Sequence, residues 1–187
     1  MIGNDIVDIA EAKLKSNWER PRILEKLFTQ KEQQLIQHSD DAFLMVWRLW
    51  SMKEAAYKLY TQLYPSRFYN PKGFECHIQN KNGIVRFKDF ECRIKTQITS
   101  AYILSEARLT PSKMTSKVIE LKSKNPKSQS EVTKAILLKE LSEQYQVSKA
   151  DLNFQKSEFG VPSVLFNSEK IQVSLSHHGC YGAYAVY

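Results

Sequence analysis

The chain has 187 residues, 42% hydrophobic and 25% charged, which is enough to bury a sizeable core and too apolar for wholesale disorder. Its net charge of +7 suits an anionic partner, while the absence of a membrane-length apolar run and of a signal pattern at MIGNDIVDIA leads us to expect a cytoplasmic protein that engages no membrane. Cys76, Cys92 and Cys180 are odd in number and form no CxxC pair, so free thiols are expected rather than a disulfide framework or a zinc site. Residues 2–9 alternate as a strand, with Gly3, Asp5, Val7 and Ile9 on one side and Ile2, Asn4, Ile6 and Asp8 on the other. Asp8 then reads as the cap of the following helix. Short polar helices are predicted over 11–17 and 21–27, and Thr29-Gln30-Lys31-Glu32 reads as a capping box opening a helix to about His38. A long helix over 41–61 carries Leu44, Trp47, Ser51, Glu54 and Lys58 on one stripe. Phe43, Val46, Leu49, Met52, Ala56 and Leu59 lie on its other faces, so it is predicted to be buried on more than one side. After a loop over 64–70 come strands near 74–79, 84–88, 89–97 and 98–107, with Asn82-Gly83 as a hairpin turn. Residues 110–129, including the basic run Lys113 to Lys127, read as a linker. Ser130 is placed to cap a helix over 130–145, with Val132, Ile136, Leu137, Leu141 and Tyr145 facing inward, and strands near 151–155, 163–166, 171–176 and 181–187 follow. Tyr-rich closing strands in both halves suggest an internal pseudo-repeat.

A Glu four residues before a Lys in a buried helix is either a self-satisfied pair or half of a site completed by a metal or a phosphate. Three segments invite the second reading together: Gly3 to Asp8, Lys53 to Lys58, and Val173 to His177. Mg²⁺ prefers one or two protein carboxylates and takes its other ligands from water and substrate phosphates, which a lone Asp5 on a strand and a lone Glu54 on a helix could provide. Lys58, one turn after Glu54, would lean toward the same phosphates, and Ser176 and His177 could donate to a further one. Each segment also has a plainer reading. Asp5 can be a strand-end acid, Ser176-His177 a strand-to-turn segment, His177 a hydrogen-bonded core residue and His178 an exposed turn residue. A Ser-His-acid hydrolase is a poor reading, because Ser176 adjoins His177 and no Gly-x-Ser-x-Gly elbow exists. Basic residues are spread along the chain without an RNP, helix-turn-helix or zinc-finger pattern, which argues against nucleic acid as partner.

GNDIVDI around Asp5, WSMKEAAYK around Glu54 and Lys58, and SLSH at 174–177 together resemble the three signature segments of the 4′-phosphopantetheinyl transferases. Phe28-Thr29-Gln30-Lys31-Glu32 resembles the segment after the aspartate in the holo-acyl-carrier-protein synthase branch, and Phe159-Gly160-Val161-Pro162 resembles the Gly-Lys-Pro turn before the SxSH strand. The resemblance implies an α+β fold and a reaction in which coenzyme A donates phosphopantetheine to a serine of an apo acyl or peptidyl carrier protein, leaving adenosine 3′,5′-bisphosphate. It implies Asp5 and Glu54 as Mg²⁺ ligands and Lys58 at the phosphates, with Glu54 or a water taking the serine proton. Ser176 and His177 would hold the 3′-phosphate beside Gly160 and Pro162. Val161 departs from the pattern by removing a cation, for which Lys134 could substitute. The segment order is that of the short, trimeric branch, whereas LWSMKE resembles the longer, two-module branch. We therefore expect two similar modules forming a monomeric pseudo-dimer: a metal-binding module over 1–109, a linker over 110–129 and an SxSH module over 130–187. Arg20, Arg22 and Lys26 could form a docking surface for an acidic carrier. The opposing readings are a degenerate homologue that binds coenzyme A without turnover and a basic nucleic-acid-binding module.

Overall fold

The computed structural model describes residues 1–111 and 114–187. Strand β1 (Ile2–Asp8) leads directly into helix α1 (Ile9–Lys15), and Asp8 is the cap, its Oδ1 accepting the Glu11 N–H at 3.0 Å. Helix α2 (Ile23–Leu27) follows. The capping box opens α3 (Gln30–Gln37), with Thr29 accepting from the Glu32 N–H and Glu32 from the Thr29 N–H. The long helix α4 (Ala42–Leu63) lies across an antiparallel sheet in the order β1-β5-β4-β3-β2, where β2 is Glu75–Gln79, β3 Asn82–Phe87, β4 Phe90–Ile98 and β5 Tyr102–Arg108. Leu49, Met52, Ala55, Ala56 and Leu59 are all fully buried, which bears out the multi-sided burial predicted for this helix. Helix and strand meet closely at Gly3, where a Cβ would stand 2.0 Å from the Ala55 carbonyl oxygen.

The β2–β3 turn lies two residues earlier than predicted. Gln79 pairs with Asn82, and Asn80 takes the left-handed conformation at φ 54°. Gly83 belongs to the strand, paired with Ile78 and Ile94, and its missing side chain leaves room for Met52, whose Cε would stand 2.7 Å from a Cβ there.

The second half consists of β6 (Thr115–Glu120), α5 (Pro126–Tyr145), β7 (Asn153–Lys156), β8 (Pro162–Phe166), β9 (Glu169–His178) and β10 (Tyr181–Val186), with sheet order β6-β10-β9-β8-β7. The predicted linker over 110–129 is therefore corrected: it contains β6 and the first turn of α5, while residues 112 and 113 lie outside the described residues. The cap of α5 is Asn125, not Ser130; its side chain accepts from Lys127 and Ser128 N–H, with Pro126 in the first turn. The buried stripe of α5 is Gln129, Thr133, Leu137 and Leu141, whereas Val132 and Tyr145 are exposed.

Each half runs from a strand through a long helix and a 3₁₀ turn to four further strands with the same sheet order, the first half carrying the three short helices α1–α3 between its first strand and its long helix. The chain is an α+β pseudo-dimer, as expected. The halves meet through Ile6, Leu104 and Ala183, with Tyr102 of β5 and Tyr181 of β10 in ring contact at 5.3 Å.

Candidate active site

The carboxylates and the lysine singled out in the sequence converge where β1 crosses α4. Asp5 lies on the face of β1 that meets the helix, and Lys58 Nζ donates to its Oδ1 at 3.1 Å and to the Asn4 carbonyl at 2.8 Å. Ser51 Oγ donates to the Asp5 carbonyl at 3.3 Å, which secures the strand to the helix one turn before Glu54. Lys58 therefore pairs with Asp5 across the chain rather than with Glu54 along the helix. Among the described residues the Glu54 carboxylate has no hydrogen-bonding partner. Burial, reinforced by the charge of Asp5 and opposed by Lys58, pushes its carboxyl up to about 7. Burial also raises Asp5, against the pull of Lys58. Two part-buried carboxylates, both raised by burial and one of them also by the charge of the other and without a donor among the described residues, form a site suited to a cation.

Lys53 and Glu54 are neighbours in sequence but serve separate environments. Lys53 is 1% exposed and turns away from Glu54 to Glu32, itself 0% exposed. It donates to Glu32 Oε2 at 2.8 Å and to the Phe74 carbonyl at 2.5 Å, and it lies 5.6 Å from the Phe28 ring centroid. Glu32 also accepts the Cys76 N–H at 2.8 Å. This buried network fixes the rotation of α4, and with it the direction in which Glu54 and Lys58 project.

Beside this crossing a cavity of about 530 Å³ opens between the two halves. Helix α4 contributes Tyr57, Lys58, Thr61 and Gln62 to its wall, α5 contributes Lys134 and Glu131, and β7 contributes Lys156. Gly160, Val161 and Pro162 close one side and His177 another. Gly160 sits at φ 81°, and Arg67 Nε donates to the neighbouring Phe159 carbonyl at 3.4 Å. Burial, then the charges of Lys58 and Lys156, push the His177 imidazole down, which favours its neutral form. Three lysines against a single acid define an anion-binding cavity, of a size that suits a small-molecule cofactor.

The expected site residues are mostly brought together. Lys58, Lys134, Gly160, Pro162 and His177 share the cavity, and Asp5 and Glu54 adjoin it through Lys58. Ser176 is the exception. It is 6% exposed, its Oγ has no partner among the described residues, and it is absent from the cavity wall, whereas Ser174 reaches the wall while accepting the Asn4 N–H. His178 is not a free turn residue, since its Nδ1 accepts the Asp8 N–H. Arg20, Arg22 and Lys26 stand apart from the cavity on the exposed surface, Arg20 at the rim of a groove of about 430 Å³ lined by Trp18, Trp47 and Trp50. Sequence reasoning missed Lys156 and Arg67, for which no motif gives a signal. The cysteines are free, and among the described residues no cluster of three or more His, Cys, Asp or Glu forms a ready-made metal cage.

Residues 1–111 match the family described as the 4′-phosphopantetheinyl transferase superfamily. The chain belongs to that superfamily. A similar solved structure is holo-[acyl-carrier-protein] synthase of Helicobacter pylori in complex with coenzyme A, 12% identical over 100% of this chain and 97% of that one. Its TM-score of 0.26 is too low for that likeness to bear on the fold or the site. No curated protein matches the sequence. Among the described residues no helix is long and apolar enough to cross a membrane.

Proposed function

We propose that this protein transfers the 4′-phosphopantetheine of coenzyme A to a serine of an apo acyl or peptidyl carrier protein, in a Mg²⁺-dependent reaction that releases adenosine 3′,5′-bisphosphate. The observation that carries the reading is the lysine-lined cavity between the halves, set directly against the Asp5–Lys58–Glu54 crossing in a member of this superfamily. Lys134, Lys156 and His177 hold the phosphates of coenzyme A. Lys156 and the Arg67 guanidinium beside Gly160 offset the cation missing at Val161, in addition to Lys134. Lys58 turns the donor's pyrophosphate toward the two carboxylates.

The donor set of Asp5 and Glu54 fits Mg²⁺: hard oxygens, two in number, with Glu54 lacking a competing donor among the described residues. When bound, the ion supplies charge withdrawal at the attacked phosphorus and at the leaving oxygen. Glu54, or a water beside it, takes the proton of the incoming serine. The acidic carrier docks on the basic surface of Arg20, Arg22 and Lys26, and the chain works as a monomer. The test is the intact mass of an apo acyl carrier protein after incubation with this protein, coenzyme A and Mg²⁺, beside an EDTA control. A metal-dependent gain of one phosphopantetheine is expected. No gain across several apo carriers overturns the proposal.

A further inference from the structure

Among the described residues β1 pairs with β5 on one side only, so the backbone N–H groups along its other edge need partners other than a paired strand. Side chains of β9 provide two of them. The Asn4 N–H donates to Ser174 Oγ at 3.0 Å, and the Asp8 N–H donates to His178 Nδ1 at 3.0 Å. The two contacts are four residues apart on each strand and straddle Asp5. An amide that donates to Nδ1 fixes the tautomer: the imidazole is neutral and carries its proton on Nε2. The ring is held in place by the Trp47 indole, with centroids 6.4 Å apart and planes 26° apart.

The grip at this end of β1 runs in both directions. Asp8 Oδ2 accepts the Cys180 N–H at 2.7 Å, so strand and turn each donate one hydrogen bond to the other. The turn comes this close only because residue 179 is glycine: its φ is 57°, and a Cβ there would stand 2.2 Å from Asp8 Oδ2. Gln129 of α5 holds the same turn from behind, its Nε2 donating to the Gly179 carbonyl at 2.5 Å.

We propose that His178 is a positioning residue for the candidate metal site, which holds the C-terminal end of β1 through the Asp8 N–H and so fixes Asp5 against Glu54 and Lys58. His178 lies on the second half of the chain and Asp5 on the first. The contact is therefore a route by which packing of the two halves sets the separation of the two carboxylates. The proposal rests on the reading of Asp5 and Glu54 as metal ligands, but not on the transfer reaction.

The test uses the full chain carrying His178→Leu or His178→Asn, with Mn²⁺ alone as the probe, its affinity read by calorimetry, and with amide hydrogen exchange at Asp8 as an independent readout. Leu keeps an apolar contact with Trp47 but accepts no hydrogen bond. Asn places its Oδ1 close to the position of Nδ1. His178→Leu is expected to lose protection at the Asp8 amide and to weaken Mn²⁺ binding by about tenfold, the lower end of losses for outer-shell partners of metal ligands. His178→Asn is expected to restore most of both. Unchanged Mn²⁺ affinity in His178→Leu despite an exposed Asp8 amide overturns the proposal, and so does unchanged protection. If His178→Leu does not fold, His178→Gln takes its place, because its carbonyl oxygen sits nearer the position of Nε2, and wild-type Mn²⁺ binding by that variant overturns the proposal. A wild-type protein that binds no Mn²⁺ overturns both the carboxylate assignment and this inference. Absence of transfer alongside an intact His178 effect overturns the transferase reading alone.

Discussion

Replacing Glu54 by Gln separates a carboxyl tuned for a cation from one that merely rides on a buried helix. The folded chain lifts this carboxyl from 4.5 to about 7. A folded-state pKa above the unfolded one means that the contribution of Glu54 to stability is complete below about pH 4.5, declines as pH rises, and is lost above about pH 7. A shift of that size is worth ~3 kcal/mol between the protonation states. Because Glu54 keeps some contact with solvent, the realised figure is smaller, on the order of 1–2 kcal/mol. Gln has the shape of the neutral acid and never ionises. In thermal unfolding without divalent metal, the two proteins should converge toward pH 4.5, and at pH 8 Glu54→Gln should be the more stable by roughly 2–8 °C in Tm, at ~2–4 °C per kcal/mol for a chain of this size. Comparing the two proteins cancels His177 and the other titrating groups that are not coupled to Glu54. Added Mg²⁺ should stabilise the wild type at pH 8 and leave the variant unmoved, and the variant should lose most turnover in the carrier mass assay. Parallel stability profiles would refute the claim that Asp5 and burial strain Glu54. A variant less stable than the wild type at pH 8 would return Glu54 to the structural pair with Lys58.

Lys156→Ala should raise the KM for coenzyme A by about tenfold with little change in kcat, as expected for a charged contact to a phosphate, and an unchanged KM in steady-state kinetics would remove Lys156 from the phosphate site. Glu32→Gln or Lys53→Met should cost about 3–5 kcal/mol in urea denaturation, because each leaves its buried partner unpaired; a loss under 1 kcal/mol would show that the pair is solvated. Gly179→Ala should destabilise the fold by about 2 kcal/mol or more through its left-handed backbone and the collision with Asp8, and a neutral result in the same assay would mean that the turn can withdraw from β1. Sedimentation should give a monomer, and an obligate trimer would contradict the pseudo-dimer as the working unit.

What the sequence made legible was whatever local periodicity encodes. The alternation of β1 places Asp5 on the helix side, and the three-four spacing of Ser51, Glu54 and Lys58 places them on the stripe of α4 that meets it. The capping box at Thr29 and the cap at Asp8 are equally local. The failures have physical causes. β6 was hidden because an edge strand reading TSKVIE has only two apolar residues, Val118 and Ile119. The buried stripe of α5 was misassigned because Gln129 and Thr133 are polar: Gln129 is satisfied by the Gly179 and Ser123 carbonyls, and Thr133 packs on Gly182, where an apolar pattern gives no signal. The partner of Lys58 lies 53 residues away, and that of His178 lies 170 away, so neither pairing can be read from spacing.

The two halves share a topology, and their strand registers align the candidate site residues of one half with different residues in the other. Asp8 pairs with Tyr102 at the start of β5, and Glu120 pairs with Tyr181 at the start of β10; stepping back three residues along each first strand aligns Asp5 with Lys117. Lys117 is paired with Glu140 of α5 at 3.0 Å, so the strand–helix ion pair survives in the second half with its signs exchanged. The same alignment, carried across β5 and β10, sets Gln97 and Ile98 opposite Ser176 and His177. A carboxylate that could hold a cation has become an ammonium that would repel one, and an imidazole that could face a phosphate has become an aliphatic side chain. Divergence at these positions leaves the second half free to serve the first: its β9 braces the strand that carries Asp5, and its α5 and β7 supply Lys134 and Lys156, two of the three lysines of the cavity.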